Sequence, residues 1–149
     1  MNDQEAKILL IKIAKIMAED EGYFSLHELA AHINDNQHFY QRLHLENIQR
    51  FAYYQRAQFL SGAATIATLG IYLFFYEKPV PPSKITADSD EVVRKPDILL
   101  PEEVYTKRLT TGHMMRIMDT LVEEAFFTTT GVYPGTVYHT TEKLWEVST

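Results

Sequence analysis

From Glu5 to Glu19 apolar residues recur every three or four positions, at Ala6, Leu9, Leu10, Ile13, Ile16 and Met17, the spacing that lines one face of a helix. Ile8 and Ile11 widen this stripe beyond the roughly 100° of arc that a simple surface helix needs. The first helix is therefore expected to touch two neighbours, a second part of the chain or another subunit. Glu19-Asp20-Glu21-Gly22 ends it, and Tyr23-Phe24 reads as a short extended piece. Ser25 stands three residues before Glu28, the spacing of a reciprocal N-cap, and opens a helix over Leu26–Ile33 that the polar run Asn34-Asp35-Asn36 is expected to close. A helical pattern returns from Phe39 to Arg56, with Leu43, Ile48, Phe51, Ala52 and Phe59 toward one side and Arg42, Glu46, Gln49, Arg50 and Arg56 toward the other.

The pattern then changes. Phe59 to Tyr76 holds about eighteen residues without a charge, near the lower length limit of a membrane-spanning helix. Two readings stand. As a span, its aromatic end (Tyr72, Phe74, Phe75, Tyr76) resembles an interfacial belt, and Arg42, Arg50 and Arg56 place the N-terminal side in the cytoplasm. As a buried element, its small and hydroxyl-rich middle makes a helix stopping near Gly70, followed by a strand over Ile71–Tyr76. A single span would put residues 1–58 and 77–149 on opposite sides of the bilayer, so these readings exclude each other. Pro79, Pro81 and Pro82 forbid helix continuation, and residues 83–100 read as a connector.

Pro101-Glu102-Glu103 suits a helix start, because proline tolerates the first turn and carboxylates favour the positive end of the helix dipole. Thr110-Thr111-Gly112 interrupts, and the next helix runs from about His113 to Glu124, burying Met114, Ile117, Met118, Leu121, Val122 and Ala125. Phe126–Thr130 and Thr136–Thr141 are β-prone, and Tyr133-Pro134-Gly135 between them fits a type II turn.

Placed together, SLHELAAHI (Ser25 to Ile33) and TTGHMMRIMDTLVEEAFF (Thr110 to Phe127) resemble the two halves of a winged helix-turn-helix of the MarR-like kind. In that family a helix, a short strand, a second helix, a recognition helix and a β-hairpin wing follow in order, and DTLVEEAFF resembles its habit of ending the third helix. The chain departs from the pattern by about seventy-five inserted residues between the halves. The resemblance implies an α+β, mostly α fold, with a split winged-helix domain at 1–36 and 107–149 and an inserted helix, apolar segment and connector at 37–106.

Composition narrows the functions. Twenty acidic residues exceed fourteen basic ones, for a net charge of −6, so nucleic acid must be met by a local patch and not by the overall field. No cysteine is present, which removes disulfides, thiolate zinc sites and thiol nucleophiles and fits a reducing interior. The acidic start Met1-Asn2-Asp3-Gln4-Glu5 lacks the basic region of a secretory leader. His27 and His32 are five apart, roughly 140° round a helix, and cannot clamp one ion. Neither a phosphate loop nor a nucleophile elbow occurs, so no catalytic residue, cofactor or metal is expected.

The function implied by the resemblance is non-enzymatic regulation in the cytoplasm through duplex DNA or a protein partner. Candidate contact residues are Lys107, Arg108, His113, Arg116, Thr120 and Tyr133, with Trp145 as a further aromatic anchor. DNA is favoured by the resemblance. Electrostatics favour a protein: the outward face of the third helix sets Arg116 against Asp119 and Glu123, and no lysine or arginine occurs between Arg116 and Lys143. A homodimer would form through the first helix or the insertion. The competing class is a small single-pass protein of the inner membrane with a cytoplasmic N-terminus.

Overall fold

A computed structural model describes residues 1–67, 81–88 and 94–148 of the chain. It is an α+β protein, mostly helical, in the order α1 (Asp3–Met17), β1 (Tyr23–Ser25), α2 (Leu26–Ala67), α3 (Glu103–Thr106), α4 (Thr111–Glu123), β2 (Phe127–Thr130), β3 (Val137–Thr140) and α5 (Glu142–Glu146). The chain divides into two compact units, one of Met1–Tyr40 with Arg94–Thr149 and one of Gln41–Val93.

In the first unit the two ends of the chain meet through backbone pairing. The three strands form one antiparallel sheet in the order β1-β3-β2, and Phe24 lies opposite Tyr138. Rings from both ends stack in its core: Phe24 stands 5.8 Å from Phe127, edge to face, and 5.7 Å from Tyr138. Leu10 and Ile13 of α1, Leu29 of α2, Met118 and Leu121 of α4 and Leu144 of α5 are almost wholly buried in this unit. The helical spacing in α1 thus reads correctly in its centre, and Ile11 is buried as the wide stripe required, but Ile8 and Ile16 are more than a third exposed.

Local chemistry explains the helix ends. Asn2 and Glu5 form a capping box on α1, the Glu5 N–H donating to Asn2 Oδ1 at 2.8 Å and the Asn2 N–H to the Glu5 carboxylate at 3.3 Å. Ser25 Oγ accepts from the Glu28 N–H at 3.0 Å, as its position before α2 predicts. Thr110 caps α4 by accepting from the His113 N–H, so that helix starts at Thr111, and Thr111 and Gly112 belong to its first turn, where the sequence suggests a break. At its far end the Phe126 N–H reaches the Leu121 carbonyl and the Ala125 N–H the Val122 carbonyl, with Ala125 in the left-handed region at φ 65°. Ala125 is therefore an exposed stop and not a core residue.

The largest departure concerns α2. Where Asn34-Asp35-Asn36 is expected to end a helix, the backbone stays helical for 42 residues, about 63 Å. Asparagine breaks helices when its amide competes for the backbone, but the Asn36 amide is taken up by tertiary partners. It is fully buried, its Nδ2 donates to the carbonyls of His32 and Ile98 at 2.8 Å each, and its Oδ1 accepts from the Leu100 N–H at 2.9 Å. Gln37 and Tyr40 continue the same edge: Gln37 Nε2 donates to the carbonyls of Val104 and Leu109, and the Tyr40 hydroxyl to that of Leu100. The tail of the expected connector, 94–100, is thus part of the first unit.

The hairpin turn also differs from expectation. The Gly135 N–H closes the turn on the Val132 carbonyl at 2.7 Å, and Gly135 does not take the positive φ that a type II turn would give it. The left-handed residue is Gly131 at φ 79°, where a Cβ would collide with the Gly135 carbonyl oxygen.

In the second unit, α2 carries the segment 81–88 through Asn47, whose amide pairs with both the N–H and the carbonyl of buried Ile85, at 2.7 and 2.9 Å. Residues 59–67 of the apolar stretch complete α2. The suggested stop near Gly70 and strand over 71–76 lie outside the described residues, as does half of the candidate span.

Candidate functional site

Packing of α1 against α4 decides where the expected contact residues go. Asp3, in the first turn of α1, accepts at one carboxylate oxygen from both the Arg116 guanidinium, at 2.7 Å, and His113 Nε2, at 2.9 Å. Lys107 lies 3.6 Å from the Glu5 carboxylate. Lys107, His113 and Arg116 thus each face a carboxylate of the acidic start of α1. Such exposed pairs are each worth at most about 1 kcal/mol, so their role is to offset charge more than to hold the fold. Arg108 is exposed, with a left-handed backbone at φ 51°. Thr120 turns its hydroxyl back to the Arg116 carbonyl at 3.2 Å. Tyr133, at 66 % exposure, and Trp145, at 46 %, are open to solvent.

A different group of residues lines the cleft between α4 and the hairpin. This cleft, of about 490 Å³, is lined by Leu26, Met115, Asp119, Val122, Tyr133 and Tyr138. Glu123, Thr129, Gly131 and Thr136 complete the lining. Asp119 and Glu123 are four apart on α4, hence on one face, and both are exposed. Burial pushes the Tyr138 phenol above its ordinary value, and the carboxylate of Asp119 adds to the rise. The cleft therefore combines apolar side chains with two carboxylates in its lining.

Of the sequence candidates, His113 and Arg116 come together, Lys107 joins the same side of the unit through α1, and Tyr133 sits apart on the cleft. Met115, Asp119 and Glu123, on the outward face of α4 and outside the candidate contact set, line the cleft. The i, i+4 carboxylates were the available signal. Lys143, the next cation after Arg116, donates to the Glu124 carbonyl and lies 4.5 Å over the Phe126 ring. Lys7 pairs with the Glu124 carboxylate. Among the described residues no three His, Asp or Glu side chains group as a metal site would require. No family model, curated protein or solved structure matches the chain.

Proposed function

We propose that the chain is a non-enzymatic interaction module with a winged-helix arrangement, in which α1, β1, the start of α2, α4 and the β2–β3 hairpin form the module and residues between α2 and α4 are inserted. The order of elements and the pairing of β1 with β3 support this reading. Its α4–hairpin face receives a protein partner in preference to duplex DNA. The observation that carries this is the charge of the face: between Thr110 and Thr141 stand three carboxylates and one guanidinium, and that guanidinium is bound to Asp3. A phosphate backbone demands the reverse balance. A protein segment bearing lysine or arginine next to an apolar residue suits the cleft, the cation meeting Asp119 and Glu123 and the apolar group meeting Met115 and Val122. The absence of cysteine fits a reducing, cytoplasmic setting.

The membrane reading fares less well. A single crossing over about 59–76 would part residues 1–58 from 77–149, whereas β1 bonds to β3 and Asn47 bonds twice to Ile85. Among the described residues no helix is long and apolar enough to cross a membrane.

The preference for protein over DNA has a direct test in the titration of a labelled duplex at low ionic strength. The native chain is expected to give no saturable binding up to about 10 µM, while Asp119→Lys with Glu123→Lys acquires binding that weakens with added salt. Saturable binding by the native chain that falls with salt and with Arg116→Ala would restore the DNA reading.

A further inference from the structure

Within the second unit, α2 carries one broad apolar face that stays about half or more exposed, although Ile48, Phe51, Ala52 and Gln55 border the segment 82–84 across a cleft of about 470 Å³. At about 100° per residue, Phe51, Ile48, Phe59, Leu45, Leu60 and Tyr53 follow one another round an arc of about 200°. Each is between 49 and 75 % exposed. Asn47, which holds the segment 81–88 through Ile85, points from another side of the helix, about 140° from the centre of this arc. We infer that this face pairs with the same face of a second copy of the chain, making the protein a homodimer through the middle of α2.

Three features select that occupant. Leu45, Ile48, Ala52, Gln55 and Phe59 recur at alternating steps of three and four, the seam by which two helices interlock side chains along their length. On or beside that seam Leu45, Ile48, Phe51 and Phe59, at about 200 Å² each and exposed to this degree, present on the order of 450 Å², over half of the roughly 800 Å² that each partner brings to a stable interface. A two-fold interface uses the same patch twice and so needs no complementary surface elsewhere. The arc also contains Gln49, Gln55 and Arg56, polar groups that a facing helix can meet and that hydrocarbon cannot. This interface is independent of the α4–hairpin cleft, and either can fail alone.

Sedimentation equilibrium of the full chain tests it. The native chain is expected to sediment as a dimer with a dissociation constant in the micromolar range or below. Ile48→Glu and, as a second variant, Phe59→Glu should each weaken dimerisation by about 100-fold or more, with the helical circular dichroism signal retained, because both side chains are exposed in the single chain. Gln55→Leu, which completes the apolar seam, should tighten it about tenfold. A native chain that stays monomeric at about 100 µM overturns the proposal, as do dimers that survive both glutamate substitutions with unchanged affinity. Monomers that cosediment through this face with vesicles of phosphatidylcholine and phosphatidylglycerol would assign it to a lipid surface instead.

Discussion

Replacing Asn36 with alanine is expected to destabilise the first unit by about 3 kcal/mol. Its side chain is fully buried and makes three hydrogen bonds, two of them to the backbone of Ile98 and Leu100, far along the chain. Truncation leaves a carbonyl and an N–H without their partner in a buried setting, each at a cost of roughly 1–3 kcal/mol. Asn36→Asp keeps the acceptor for the Leu100 N–H but loses both donors and sets a carboxylate beside the Ile98 and His32 carbonyls, so it should be no milder. Denaturant unfolding monitored by circular dichroism measures both. Losses below about 1 kcal/mol would mean that the 98–100 segment does not depend on α2 in solution.

Phe24→Ala should cost still more, about 3–5 kcal/mol. Phe24 is 1 % exposed and packs on Phe127 and Tyr138 from the opposite end of the chain. Its loss opens a cavity where β1 joins the hairpin, so the unit should unfold at lower denaturant as one cooperative transition. Tyr23, its neighbour in the same strand, is 47 % exposed and stacks on His139 at the surface. Tyr23→Ala should therefore cost less than about 1 kcal/mol. Equal effects at the two positions would contradict a shared interior for the chain ends, as would two separate transitions.

Patterns that repeat locally were legible from the residues. The centre of α1, the cap at Ser25, the buried face of α4 and both hairpin strands follow from spacing and capping chemistry. What was illegible depends on partners remote in sequence. Asn34-Asp35-Asn36 reads as a stop because asparagine and aspartate compete for the backbone, and nothing nearby discloses that Ile98 and Leu100 will occupy the Asn36 amide instead. Ala125 carries an apolar side chain one residue past the helical stripe, and only the geometry of the chain end reveals its left-handed backbone. At the candidate site, Asp3 and Glu5, more than a hundred positions earlier in the chain, decide what Arg116 and Lys107 meet. The carboxylates of α4 were counted as an obstacle to DNA. In the folded chain they line the cleft beside the hairpin.

The face formed by α4 and the hairpin can be questioned in the cell by placing a photo-activated cross-linking residue at Tyr133, an exposed position whose replacement leaves the core untouched. Irradiation is expected to yield one discrete protein adduct that survives nuclease treatment and disappears when Asp119→Lys and Glu123→Lys are added. An adduct with nucleic acid, or a protein adduct indifferent to those two substitutions, would contradict a partner held by the acidic cleft.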